Sequence, residues 1–91
     1  MTRKLTRMPY AQAQIRDYSD IGSDLMVLQS YSTDVIIVRG DWLECTGLYS
    51  MTTRRHISRF LDEYYPGINY YSVKPIAGTG HKMNVRTGEI V

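Results

Sequence analysis

The segment LYSMTTRRHISRFLDEYY, Leu48 to Tyr65, decides the fold. Ile57, Phe60, Leu61 and Tyr64 stand at i, i+3, i+4 and i+7, which predicts a helix over Thr53–Tyr65 of about three to four turns with a single apolar stripe. Ser50 or Thr52 is placed to accept backbone N–H bonds at its start. Pro66 ends it, because the proline ring disfavours helical geometry at the preceding Tyr65. A helix with one apolar stripe must bury that stripe against something, and the sequence upstream supplies the surface.

DLMVLQSY (Asp24–Tyr31) and DVIIVRG (Asp34–Gly40) are apolar, rich in branched residues and separated by a short ST turn, which predicts two antiparallel strands. In DWLECTGLYS, Trp42, Glu44, Thr46 and Leu48 fall on one face of an extended chain, and Leu43, Cys45, Gly47 and Tyr49 on the other. The expectation is an α+β fold: a small antiparallel sheet of three or more strands with one main helix packed on one face, its core unit spanning residues 24–65 of a single domain, 1–91. Outside this unit the signals are weaker. Residues 1–8 are polar and basic and read as a flexible tail. PYAQAQIRDY (9–18) permits a short helix with Pro9 in its first turn. INYYSVKPI and HKMNVRTGEIV permit further strands, joined by an AGTG turn.

Composition narrows the function classes. Ninety-one residues with 43% hydrophobic content support one small core. No run of apolar residues is long enough to span a membrane, and MTRKLTRMPYAQ lacks the apolar stretch of a secretory signal, so a soluble, cytosolic protein is expected. The single Cys45 has no internal partner for a disulfide. With only His56 and His81 beside it there is no zinc-ligand cluster, so neither metal nor cofactor is expected. The net charge of +2 is unevenly spread. Residues 1–16 are purely basic, through Arg3, Lys4, Arg7 and Arg16, whereas 17–50 hold six acids against Arg39.

The candidate binding residues follow from this distribution. Arg54, Arg55 and Arg59 project away from the apolar stripe, and arginines at a helix start oppose the macrodipole, a small cost that points to use as an anionic dock. Eight tyrosines stand against one phenylalanine. Tyr65, Tyr70 and Tyr71, with Trp42, are rigid amphipathic rings of the kind that anchor protein interfaces or stack on unpaired bases. Asp34, Asp41 and Glu44 form an acidic stretch able to mimic phosphates. His56, at the edge of the stripe, reads as a core histidine bonded to a neighbouring strand. No second group accompanies it in a nucleophile elbow, paired-carboxylate or H-E-x-x-H pattern, so no catalytic residue is assigned and the chain is not expected to be an enzyme. GTGHK (78–82) lacks the spacing of a phosphate-binding loop and reads as a turn.

SYSTDV (Ser30–Val35) and YSMTTRRHISRFL (Tyr49–Leu61) together resemble a family of small proteins of unassigned activity encoded by bacteriophages and mobile elements. That family shares an S-Y-x-T-x-V strand turn and a Y-S-x-T-T-x-R-H-I-x-x-F-L helix. The resemblance covers about residues 28–62. It includes Thr52, Thr53, Arg55 and His56, but not Arg54 or Arg59. It implies a phage context and supplies no site.

The functional expectation is therefore a non-enzymatic, phage-encoded binding protein that inhibits or redirects a host protein, such as a defence nuclease in the manner of an anti-CRISPR. The alternative is a small nucleic-acid-binding module using Arg3, Lys4, Arg7, Arg54, Arg55 and Arg59 on phosphates and tyrosines on bases. A self-assembling structural part of a virion or replication machine is a third reading. Exposed sheet edges in so small a chain suggest a homodimer in each case.

Overall fold

The computed structural model describes all of residues 1–91. Six strands form one sheet in simple sequential order: β1 (Thr2–Arg3), β2 (Ala13–Asp17), β3 (Leu25–Ser30), β4 (Thr33–Arg39), β5 (Trp42–Cys45) and β6 (Lys82–Asn84). Every neighbouring pair is antiparallel. Between β5 and β6 the chain crosses one face of the sheet and forms two helices, α1 (Met51–Tyr64) and the single-turn α2 (Tyr70–Val73). The architecture is the expected α+β arrangement, with more strands than the central three.

Strand alternation sorts the residues between two faces. Ile15, Leu28, Ile36 and Cys45 lie in one cross-strand row, and Val38, Leu43 and Met83 in the next. All are buried and belong to one cluster with Ile57, Phe60 and Leu61 of α1. The alternate rows, including Arg16–Val27–Ile37–Glu44–Lys82, carry no helix. A bulge between Leu28 and Gln29 leaves Val35 without a partner on β3, and Val35 is itself fully buried. The β3–β4 turn is made by Tyr31 and Ser32 rather than by Ser32 and Thr33, and Tyr31 adopts a φ of 56°.

Three weaker expectations are corrected. The amino terminus is not a loose tail. β1 pairs with β2, the terminal ammonium reaches the Asp17 carbonyl at 2.6 Å, and Leu5 is 0% exposed in the core. One apolar residue in a basic stretch suffices here because it fills the space beside the helix. Residues 13–17 are a strand, not part of a short helix: Ala13 and Ile15 point into the core while Gln14 and Arg16 point out. INYYSVKPI forms α2 and a following 3₁₀ turn, because Asn69 and Ser72 cap each other's backbone in a reciprocal box. The sheet edges are short. β1 has two residues, and β6 is backed by the last residues through paired Lys82–Val91 bonds of 2.9 and 3.1 Å, so little open edge remains for self-pairing.

Leu5→Ala is expected to destabilise the fold by about 2–5 kcal/mol, whereas Lys4→Ala, at an exposed neighbour, leaves it within about 0.5 kcal/mol. Urea unfolding of the two variants measures the difference. Equal and small effects would mean that the amino-terminal segment does not contribute to the core.

Candidate functional site

The apolar stripe of α1 fixes where its charges go. Ser50 caps the helix, accepting the Thr53 N–H at 3.2 Å. Thr53, His56, Ile57, Phe60 and Leu61 then face the sheet. Arg55 and Arg59 consequently stand exposed on the outer side, and Arg54 lies half-buried at the margin. Against this outer side the fold places Arg7 and Met8 from the amino-terminal segment, and Tyr70, Tyr71 and Lys74 from α2 and the turn after it. The result is an open groove of about 880 Å³, the largest concavity of the molecule.

Five cations line this groove and no carboxylate does. Arg59 is partly compensated by Asp62 at 3.8 Å, but Arg7, Arg54, Arg55 and Lys74 make no ion pair. Arg54 is the least satisfied. Its Nε is buried without an acceptor, and the one hydrogen bond of its guanidinium is to the Met51 sulfur at 3.8 Å. An unpaired, desolvated N–H of this kind costs free energy. Tyr71, on the same groove, is 76% exposed and held edge-on by Tyr70 with ring centroids 5.4 Å apart.

The groove thus brings together Arg54, Arg55, Arg59, Tyr70 and Tyr71 of the residues expected to bind a partner. Trp42 is elsewhere, on the uncovered sheet face in a small cleft with Ile37, Arg39, Glu44 and Lys82. Tyr65 lies in a further cleft beside Asp17, Asp24 and Asp41. Its ring packs on Phe60, and burial raises its hydroxyl pKa. The acids are dispersed. Asp34 is held by Arg16 through two bonds of 2.9 Å, Asp41 by Arg86 at 3.4 Å, and Glu44 stands opposite Lys82 in the register. Among the amino-terminal cations only Arg7 reaches the groove. Arg3 bonds Asp17 at 2.8 Å and stacks on Tyr64. Lys74 had no local signal, since only the turn after α2 carries it to the helix. The glycine turn at 78–82 does not line the groove.

A second constellation lies under the helix head. Ser30 Oγ is 2.8 Å from His56 Nδ1 and 2.9 Å from Thr53 Oγ1, and Ser50 donates to the same threonine at 3.3 Å. Ser30, Thr53 and His56 are all buried, and none of the clefts reaches them. A serine bonded to a histidine is the geometry of a nucleophile and its base, but here no carboxylate orients the ring, and His56 Nε2 has no partner at all. What the arrangement does is join α1 to β3 by a polar chain. Cys45 is similarly enclosed, and burial raises its thiol pKa, which disfavours the reactive thiolate.

With this geometry in hand, the class is that of a small α+β protein presenting a cationic, tyrosine-edged groove. The chain matches the model of a family of unknown function (DUF8033) over residues 3–73, and belongs to that family. The matched span runs from β1 through α2 and takes in every groove residue except Lys74. No curated protein and no solved structure matches the chain.

Burial depresses the His56 pKa below its ordinary 6.5. The unfolded chain therefore binds a proton that the folded chain refuses. The stability this supplies is full above pH 6.5 and is lost as the pH falls through the folded-state value. His56→Asn, which retains a group near Nδ1 but does not titrate, is expected to flatten the decline of Tm between about pH 7 and pH 5. An unchanged slope would show that His56 does not set the acid sensitivity.

Proposed function

We propose that this chain is a non-enzymatic binding protein whose working surface is the groove over the outer side of α1, and whose partner presents clustered negative charge. One observation carries the reading: five cationic side chains from three separated segments converge on one concavity that contains no acid. Such a cluster repels itself, and neutralisation by an anion removes the repulsion. The helix itself gains nothing from the arrangement. Its first turn holds no acid and its last turn no base, the reverse of what the macrodipole favours.

A second reading, that the chain is phage-encoded and inhibits or redirects a host protein in the manner of an anti-CRISPR, draws on the two sequence motifs. It is favoured by the exposed Tyr31, Tyr49 and Met51 around the helix head. Tyr31 and Tyr49 are also the two non-glycine residues with positive φ, at 56° and 55°, a conformation that costs free energy and is often kept where a side chain must be presented. On this reading the groove receives an acidic surface of the host protein, in the host cytoplasm.

The arginines separate function from stability. Replacing Arg54, Arg55 and Arg59 together by glutamine is expected to weaken heparin binding by about tenfold or more at low salt. The same variant should keep the fold, with stability unchanged or raised by about 0.3–1 kcal/mol. Calorimetric titration and thermal unfolding read the two quantities. A folded variant with undiminished heparin affinity would reduce the groove to a solvated helix face.

A further inference from the structure

We infer that the groove holds the backbone of an unpaired nucleic acid strand, with Arg54 as the phosphate anchor and Tyr71 as a platform for a base; this rests on the anionic-partner reading above and names its ligand. Three features separate this ligand from a generic anion. The cations are distributed: Arg54, Arg55 and Arg59 along α1, Arg7 from the amino-terminal segment and Lys74 after α2. They suit a chain of charges better than one small ion. The Arg54 guanidinium bonds no oxygen, its Nη1 having only the Met51 sulfur at 3.8 Å, so its terminal N–H groups are donors that a phosphate oxygen can take. The third feature is aromatic. Tyr71 is 76% exposed at the same groove and oriented by its contact with Tyr70.

An acidic protein surface would use the cations and meet the ring as an ordinary interface contact, without the regular pairing of charge and flat face that a strand of nucleotides presents. A duplex would use the cations yet keep its base faces stacked inside, out of reach of a side chain. Only an unpaired strand offers phosphates and base faces together, and stacking is tolerant of sequence because every base has a π face.

The test is fluorescence anisotropy on the full chain with three labelled probes: a short oligothymidylate, the same oligomer paired with oligoadenylate, and a polyglutamate of equal charge. Oligothymidylate is expected to bind best, with affinity falling steeply between about 50 and 200 mM salt. Arg54→Gln should weaken it by about tenfold and reduce the salt slope by about one. Tyr71→Ala should weaken oligothymidylate by about fivefold or more while leaving polyglutamate unchanged, and Tyr71→Phe should behave as the parent chain. If all three probes bind alike, and Tyr71→Ala affects none of them, the single-strand assignment is overturned while the anionic groove stands. If none of them binds, both are overturned.

Discussion

Ile57, Phe60 and Leu61 are fully buried, and they seat the 14-residue α1 on a sheet with no other long helix to cover it. The position of the rest of the molecule follows from that seating. With the stripe turned inward, the polar chain Ser50–Thr53–Ser30–His56 closes the helix head onto β3. The arginines on the opposite side have only solvent and two flanking segments before them. Those segments are positioned by the same core: Leu5 draws the amino-terminal strand in beside the helix, and Val73 and Ile76 anchor α2 and the turn that carries Lys74. The groove is a consequence of how one helix is packed.

Charge is distributed in two ways across this frame. On the uncovered sheet face the charges are largely matched, as in the bidentate Arg16–Asp34 pair, which Gln29 and Tyr18 extend at 2.6 and 3.1 Å. At the amino terminus Arg3 and Asp17 pair, and the Asp17 carboxylate is held below its usual range chiefly by bonds from Ser19, with Arg3 adding to them. Around the groove the charges are left unmatched. The contrast matters because the chain has nine acids available, and the fold sends almost none of them to α1's outer side. Asp62 and Glu63 are exceptions at the helix end, where Asp62 meets Arg59 and Glu63 accepts the Thr6 N–H at 2.8 Å. Matching stabilises a surface slightly; a concentrated mismatch leaves a field that steers anions.

The central strands and the helix were legible because their periodicities are long and clear: DLMVLQS, DVIIVRG and WLEC alternate or run apolar, and I-x-x-F-L-x-x-Y repeats with the helical period. The ends were not. β1 offers two residues and β6 three, too short for a period to show, and they are strands because a neighbour pairs with them. Ala13 and Ile15 alternate, but in QAQIRD one branched residue is too little signal to separate strand from helix. In the same way, the arginine cluster on α1 was visible from spacing alone, whereas its meeting with Lys74 and Tyr71 depends on where α2 packs, and no local pattern encodes that. Trp42, a conspicuous residue in the sequence, lies on the opposite side of the sheet from the groove, as alternation along β5 requires once Leu43 and Cys45 are in the core.

The claim that the outer side of α1 is the working surface is tested most directly by amide chemical-shift mapping of the labelled chain during titration with a polyanion at low salt. The structure predicts saturable shifts at Arg7, Arg54, Arg55, Ser58, Tyr71 and Lys74, with the β4 and β5 amides near Ile37, Trp42 and Glu44 unmoved. Shifts centred on that open sheet face, with the helix amides silent, would contradict it.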